Sequence, residues 1–259
     1  MAKKTKGVVR RAVVTPDKHF PLHDPDAISV VKQAIEIVKP DTYIDLGDTG
    51  EWSYFSTHYW RGRFAKPMED LIPLLDQDVD EVNAGMDWID ESLDKVNCKE
   101  KYMIEGNHDA WMNSFVDEHP FMKGYRFKDC VNLKERGYKY YPAGKYLKLG
   151  KLHLYHGHHF SGIHHTRNHL IRLGANIMYG HHHDLQQASV THMDGVKSAW
   201  SIGCLKDMRE EQNDWLGGRK INWSHAFAIV DFFAKGHFTV HVIQIIDGET
   251  SLWGELIKG

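Results

Sequence analysis

The chain has 259 residues, of which 42% are hydrophobic and 26% are charged. These values are typical of globular proteins and exclude a disordered or collagen-like chain, while the length suits one sizeable α/β core. The formal net charge of −3, with histidines neutral, excludes a global attraction to nucleic acid or anionic membranes, so any such affinity must be local.

The first half of the chain predicts strands that alternate with helices. Residues 8–15 are rich in valine and predict a buried strand that ends at Pro16. Asp24 is placed to cap a helix that Pro40 stops. Strands are predicted at 42–46 and 102–104, with a long helix between them at 68–96, and Pro73 predicts a later start for that helix.

The second half repeats the strand pattern and then changes. Residues 152–155 and 176–179 predict strands that run directly into histidine-rich turns. After His183 only strands are predicted, at 188–192, 196–202, 226–233 and 237–246, which indicates an antiparallel sheet that closes the fold. In the alternating part we expect parallel strands with right-handed crossovers, and ligands bind beyond the carboxyl ends of such strands.

Polar side chains follow five of these predicted strands. They share a position just past the end of the strand: Asp17, His19, Asp48, Asn107, His108, His156, His181 and His183. Each pair or triplet carries little information alone, but the whole series, in this order and always after a strand, predicts a shared site.

The residue types in this series indicate a metal centre. Carboxylates, one amide oxygen and neutral imidazoles suit manganese, iron, zinc, cobalt or nickel and do not suit calcium. Seven protein ligands exceed what one transition ion takes, so two ions are predicted, with Asp48 as the bridge between them. Two ions about 3.5–4 Å apart could hold a hydroxide for in-line attack on phosphorus.

The motif order resembles that of the calcineurin-like metallophosphoesterase family. The resemblance covers roughly residues 8–205. Among the members of this family, the chain is most similar to those carried by phages and bacteria. The motifs that carry it are Asp17-Lys18-His19, Gly47-Asp48, Gly106-Asn107-His108-Asp109, His156-Gly157-His158 and Gly180-His181-His182-His183.

This resemblance implies a fold and a division of roles. It implies a four-layer αββα sandwich with mixed sheets and a C-terminal antiparallel portion, as a single domain over residues 1–259. One ion would be held by Asp17, His19, Asp48 and His183. The second would be held by Asp48, Asn107, His156 and His181, and manganese is the favoured metal. His108 would contact the phosphate and assist the leaving oxygen, while Asp109 would orient His108.

Two positions depart from the family pattern. Glu51 stands where an Asp or Asn is often found, which leaves its contact with the site open, and Pro16 replaces a small hydroxyl residue.

Several further segments are candidates for substrate binding. His158 lies two residues after a predicted ligand, and Arg61 and Arg63 lie among aromatic residues in a pattern that suits base stacking. A weaker aromatic and basic patch is formed by Trp215, Arg219, Lys220 and Trp223. For each of these patches, core or oligomer packing is the alternative. The segment 111–141 is either a substrate-selecting cap or a solvated connector.

The sequence thus predicts a metal-dependent phosphodiesterase acting on nucleic acid or nucleotides. Alternatives are a phosphomonoesterase for proteins or small molecules, an inactive binding scaffold, and a histidine-rich metal store. The cysteines Cys98, Cys130 and Cys204 lack paired spacing, and the N-terminus lacks the apolar segment of a signal peptide. We therefore expect a cytoplasmic protein with no membrane contact, and the oligomeric state stays open.

Overall fold

The structure, a computed structural model, describes residues 7–57 and 66–259. Its helices are α1 (Pro25–Val38), α2 (Met68–Lys95), α3 (Asn107–Glu118), α4 (Phe127–Cys130) and α5 (His165–Leu173). Its strands are β1 (Val8–Thr15), β2 (Thr42–Asp45), β3 (Glu100–Ile104), β4 (Tyr138–Tyr141), β5 (Leu147–Leu149), β6 (Leu152–Leu154), β7 (Asn176–Tyr179), β8 (Leu185–His192), β9 (Gly195–Ile202), β10 (His225–Phe233), β11 (Phe238–Ile245), β12 (Glu249–Leu252) and β13 (Glu255–Lys258).

Two mixed sheets form the centre of the molecule. The six-stranded sheet has the order β11-β10-β1-β2-β3-β4, and the five-stranded sheet has the order β5-β6-β7-β9-β8. Strands β1 to β4 are parallel to one another, and β6, β7 and β9 are also parallel. The alternation of strands and helices predicts this for β1, β2 and β3, whereas β4 was not predicted and β9 was expected in an antiparallel sheet. The strands β12 and β13 form a separate hairpin.

The prediction that one antiparallel sheet closes the fold is wrong. The strands after His183 divide into two hairpins, β8–β9 and β10–β11, which extend different sheets. Strand β10 is buried along almost its whole length because it lies inside the six-stranded sheet, whereas β8 alternates between more and less exposed residues at an edge. The antiparallel portion is therefore shared between both sheets.

Three apolar clusters separate four layers, which confirms the predicted αββα sandwich. Helices α1 and α2 cover one face of the six-stranded sheet, and α5 covers the outer face of the five-stranded sheet. Between the sheets lies a cluster of fully buried side chains that includes Val14, Ile44, Leu154, Met178 and Ile202. The burial of these side chains away from water holds the two sheets face to face.

The helices begin where local chemistry predicts, with one exception. Asp24 caps α1, and its Oδ1 atom accepts a hydrogen bond of 2.8 Å from the backbone N–H of Ala27. The later start predicted for α2 is wrong, because the helix begins at Met68 and includes Pro73. Pro73 is exposed in the second turn, while the buried Leu71 and Leu75 on either side anchor that turn to the core.

The segment 111–141 packs into the protein. It contains most of α3, together with α4 and β4, and it buries Met112, Val116, Phe127 and Leu133 in the cluster beneath α1 and α2. Within residues 7–57 and 66–259, none of the helices is both long enough and apolar enough to cross a membrane.

Candidate metal centre

The loops that follow β1, β2, β3, β6 and β7 bring the strand-end residues together. Three overlapping groups of potential ligand atoms each lie within 4.8 Å of one another. They are Asp17, His19 and His183; His19, Asp48 and His108; and Asp48, His156 and His181. Because Asp48 belongs to two of these groups, it stands between the others, where the sequence places the bridging carboxylate.

The first group is compact and almost fully buried. Nε2 of His19 lies 3.2 Å from Nε2 of His183, and Nε2 of His183 lies 3.4 Å from Oδ1 of Asp17. Oδ2 of Asp48 lies 3.8 Å from Nε2 of His19. These side chains therefore direct two imidazole nitrogens and two carboxylates at one small volume.

The second group surrounds Nε2 of His156. This atom lies 3.2 Å from Oδ2 of Asp48, 2.9 Å from Oδ1 of Asn107 and 3.2 Å from Nδ1 of His181. The other ring nitrogen, Nδ1, is 3.0 Å from the carbonyl oxygen of Leu46, to which it can donate. In that tautomer Nε2 carries a lone pair, so the atoms that meet here are mainly acceptors.

The close approach of these acceptor atoms shows whether the residues can hold a metal ion. Lone pairs that face one another at about 3 Å repel, unless a cation or a proton lies among them. Carboxylate, amide and imidazole ligands suit transition-metal ions, and His19 and His156 each turn their second nitrogen to a protein acceptor, as metal-binding histidines do. The residues therefore fit divalent transition-metal ions.

Burial keeps three of the four predicted ligand histidines neutral, as metal binding requires. Burial lowers the pKa of His19 to about 4, that of His183 to about 3 and that of His181 to about 2, so all three are neutral at pH 7. Burial also opposes charge on His156 and Asp48. Because these two face each other, the pKa of His156 is nevertheless raised to about 9 and that of Asp48 is held well below its usual value. The pocket attracts positive charge.

Five of the seven predicted ligands have left-handed backbone conformations. The φ angles are positive at Asp17, His19, Asp48, His181 and His183, with values from 33° to 64°. Residues with a Cβ atom rarely adopt this region, and when they do they are concentrated at functional sites. The sharp turns aim the side chains back across the ends of the strands.

Glycines in the motifs allow the loops to approach each other. A Cβ atom on Gly180 would lie 1.9 Å from Oδ2 of Asp17, and one on Gly106 would lie 2.2 Å from Oδ1 of Asp48. The space that these glycines leave is used by the backbone. The N–H of His181 lies 2.9 Å from both carboxylate oxygens of Asp17, and the N–H of His108 donates to Asp48 at 2.8 Å.

Glu51 and Lys206 also belong to the site, although the sequence motifs did not identify them as members of it. Oε2 of Glu51 lies 2.8 Å from Nδ1 of His19 and 2.7 Å from Nζ of Lys206. Burial alone would raise the pKa of Glu51, but the close contacts with His19 and Lys206 keep it well below its usual value. Glu51 thus lies directly against the His19 ring, at the position whose contact with the site the sequence left open.

His108 stands at the rim of the centre. Its ring is 4.6 Å from that of His19 and 3.8 Å from that of Trp111, centroid to centroid. Its Nδ1 lies 2.9 Å from the carbonyl oxygen of Glu51. The Glu51 carbonyl therefore orients the His108 ring.

Asp109 supports the loop after β2. Its carboxylate accepts hydrogen bonds from the N–H groups of Thr49 and Gly106 at 3.2 and 3.0 Å, and from Nε1 of Trp52 at 2.8 Å. Burial, followed by the charge of Asp48, raises the pKa of Asp109 to about 7. These contacts join the loop that carries Asp48 to the start of α3.

The additional histidines belong to a buried network beneath the His181–His183 turn. His165 hydrogen-bonds to the Tyr179 hydroxyl at 2.7 Å and to Asp184 at 3.1 Å, and it stacks on His182 with 3.8 Å between ring centroids. His169 stacks on Tyr179 at 4.0 Å. These histidines are already engaged with protein partners, which argues against a metal-storage role for them.

His158 is the predicted substrate residue whose position the structure describes. Its ring lies 5.8 Å from that of His156 and 6.2 Å from that of His181, beside the second group of ligands. Its Nδ1 is buried and has no hydrogen-bond partner in the described part of the chain. Arg61 and Arg63 lie outside the described residues, and their role stays a prediction.

Comparisons with known proteins address the fold. No family model matches the chain, and no curated protein matches it in sequence. Among solved structures, Vps29 from Chaetomium thermophilum is 13% identical, with 96% of this chain and 97% of that chain covered and a TM-score of 0.51. Vps29 from Entamoeba histolytica, complexed with zinc, is 12% identical, with 96% and 98% covered and a TM-score of 0.46. Through the first of these likenesses, the chain has the calcineurin-like metallophosphoesterase fold.

Proposed function

We propose that this protein is a metal-dependent phosphoesterase that hydrolyses phosphodiester bonds in nucleic acid or nucleotides. The observation that carries the proposal is the convergence of three overlapping groups of potential ligands, two of which share Asp48. Their mixed oxygen and nitrogen ligands suit two divalent transition ions, and manganese is our first choice.

The roles of the protein side chains follow from their positions. When bound, the two ions supply Lewis-acid stabilisation of the phosphate and a nucleophile at neutral pH. Glu51 holds the His19 ring, and the backbone N–H groups of His108 and His181 hold the carboxylates of Asp48 and Asp17. His108, which is only partly buried, gives a proton to the oxygen that leaves.

The surroundings of His108 favour a diester over a monoester. Trp111, whose ring is tilted against that of His108, also lines a cavity of about 610 Å³ together with Phe55, Lys66 and Phe115. A cavity of this size accommodates a large leaving group. This room on the His108 side supports a substrate with a substantial organic group on the leaving oxygen.

Two further parts of the proposal rest on the sequence. The motif order supports a relationship with the members carried by phages and bacteria. The three cysteines, all free thiols in the structure, support a reducing, cytoplasmic location.

The proposal is tested by metal analysis together with two chromogenic substrates. We expect the purified protein to bind two Mn²⁺ ions per chain and to hydrolyse bis-p-nitrophenyl phosphate faster than p-nitrophenyl phosphate. Faster hydrolysis of the monoester would instead favour a phosphomonoesterase. Absence of hydrolysis with every metal, after two bound ions have been verified, would refute the enzyme and favour a binding scaffold.

A further inference from the structure

The segment 207–224 adjoins the metal centre on the side of His183. The Trp223 ring lies 4.5 Å from the His183 ring, edge to face, and Trp223 forms an antiparallel bridge with Asp184. The N–H of Ser224 donates to the carbonyl oxygen of His183 at 2.8 Å. Because the segment is hydrogen-bonded to the turn that carries two predicted ligands, its position relative to the metal centre is fixed.

This segment presents an indole to solvent. Trp215 is 61% exposed, and its ring lies 6.3 Å from that of Trp223, so the two indoles form a path from the surface to His183. Asn213 anchors the start of the segment 207–224, since its side-chain amide donates to the carbonyl oxygens of Asp207 and Arg209 at 2.9 Å. Core packing, one of the two alternatives that the sequence left open, does not explain such an exposed indole.

Two cations accompany the indole. The guanidinium of Arg219 lies 6.0 Å from the centre of the Trp215 ring, and the exposed Lys220 follows it in the chain. None of the ion pairs within the described ranges involves either residue, whereas the neighbouring Arg209 is paired with Asp207. Arg219 and Lys220 thus offer two positive charges beside the exposed indole, in a segment that also carries Glu210, Glu211 and Asp214.

We infer that Trp215, Arg219, Lys220 and Trp223 form a platform for single-stranded nucleic acid, which stacks a base near the scissile phosphate on Trp215. This inference rests on the proposed function and names the substrate class of the same site. Indole faces stack on bases of any sequence, and cations beside them take the backbone phosphates. In a duplex the bases already stack on one another, so the platform selects an unpaired strand.

The test measures how tightly the full chain binds a fluorescein-labelled oligothymidylate, from the change in fluorescence anisotropy. EDTA is present so that hydrolysis does not occur. A strand of equal length with abasic residues and a duplex of equal length are measured in parallel. We expect oligothymidylate to bind more tightly than either, and Trp215→Ala to weaken its binding about tenfold. Trp215→Phe should retain most of the affinity because it keeps an aromatic face.

Two further variants separate stacking from charge and from general damage. Arg219→Gln should weaken binding of both the normal and the abasic strand, whereas Trp215→Ala should leave the abasic strand unaffected. Trp253→Ala is the matched control, because Trp253 is 51% exposed and its ring lies 5.2 Å from the guanidinium of Arg11, away from the platform. It should bind as the wild type does.

The outcomes distinguish this inference from the proposed function. Failure of the wild type to bind oligothymidylate, equal binding by Trp215→Ala, or tighter binding of the duplex would overturn the platform. Hydrolysis of bis-p-nitrophenyl phosphate in Mn²⁺ would then still support the phosphoesterase. Conversely, Trp215-dependent binding by a protein that hydrolyses nothing would leave the platform standing and refute the enzyme.

Discussion

At the scale of single residues, His108 and Asp48 differ in what their removal should do. His108 lies at the rim, and we expect His108→Ala to retain both metal ions while turnover falls about 100- to 10,000-fold, the usual contribution of general acid catalysis. Asp48 lies between two ligand groups, so Asp48→Asn should lose bound metal as well as activity.

Metal content and turnover of bis-p-nitrophenyl phosphate, measured on the same preparations, check both expectations. The control is His241→Ala, which removes an exposed imidazole from the edge strand β11. Turnover that survives in His108→Ala would show that the leaving oxygen receives its proton elsewhere.

Glu51 should tune the metal site without binding an ion. Its carboxylate holds Nδ1 of His19, and loss of such supporting contacts weakens metal affinity about 10- to 100-fold. We expect this loss in Glu51→Gln, because the amide carries no charge to polarise the imidazole. Competition with a coloured chelator measures the affinity, and Glu36→Gln, on the exposed side of α1, serves as the control. An unchanged affinity would assign Glu51 to structure alone.

The sequence predicted which side chains meet at the candidate centre far better than it predicted the residues that support them. Asp17, Asp48 and His183 stand directly after strands, so motif order and chain alternation were enough to predict their convergence. Glu51 and Lys206 are 155 positions apart in sequence, and no local pattern joins them. Their ion pair exists only because the loop after β2 meets the chain that follows β9.

At the scale of structural elements, the approach of two loops depends on a missing side chain. Gly180 precedes the His181–His183 turn, and a Cβ atom there would collide with the Asp17 carboxylate. We expect Gly180→Ala to lower the free energy of unfolding by about 1–3 kcal/mol, as overpacking does, and also to reduce metal affinity. Gly124→Ala is the control, because its Cβ atom would meet nothing within 4 Å.

Denaturant titration and metal binding measure the two effects of Gly180→Ala. If its stability and metal affinity match those of Gly124→Ala, the close contact between the two loops is not required.

Helix α2 carries a buried carboxyl group that should make stability depend on pH. Burial raises the pKa of Asp78 to about 7, well above the usual range of an aspartate. The folded state therefore holds this proton more tightly than the unfolded chain does, and the free energy of unfolding falls as pH rises from about 4 to 7. Asp78→Asn removes the charge and should stabilise the protein by roughly 2 kcal/mol at pH 8.

Denaturant unfolding at pH 4 and pH 8 checks the effect of Asp78→Asn. The stabilisation should vanish at pH 4, where the carboxyl group is protonated in the folded state. Asp80→Asn, on the exposed side of the same helix, should change little. Equal effects of Asp78→Asn at both pH values would contradict the role of charge.

Hydrophobic periodicity predicted most elements within a few residues, and the errors have physical causes. The limits of β1 and β7 agree with prediction, because each strand is a short apolar run between polar turns. The start of α2 was misplaced because Pro73 is tolerated in an exposed early turn. Short strands such as β5 carry too few residues to show a pattern and were not predicted.

At the scale of the whole molecule, the two sheets should unfold together. Leu154 is fully buried in the cluster between them, and Leu154→Ala should lower the free energy of unfolding by about 2–5 kcal/mol. Circular dichroism and tryptophan fluorescence should report one coincident transition, as expected of a single domain. Two separate transitions, with only one shifted by the substitution, would contradict the single-domain prediction.

The sequence did not allow us to predict which strands belong to which sheet. Local pattern indicates a strand but not its partner, and β9 and β10 are consecutive strands that enter different sheets. That choice depends on which faces the rest of the fold covers. Layer order was predictable only through the resemblance to a known family, whereas strand identity came from the residues themselves.

The left-handed turns at five predicted ligands carry a consequence for protein engineering. Each such turn costs on the order of 1–3 kcal/mol, and glycine would adopt it without that penalty. A screen for heat resistance alone would therefore enrich variants in which glycine replaces a histidine or an aspartate of the centre. Selection for robustness and selection for activity would diverge at the same five positions.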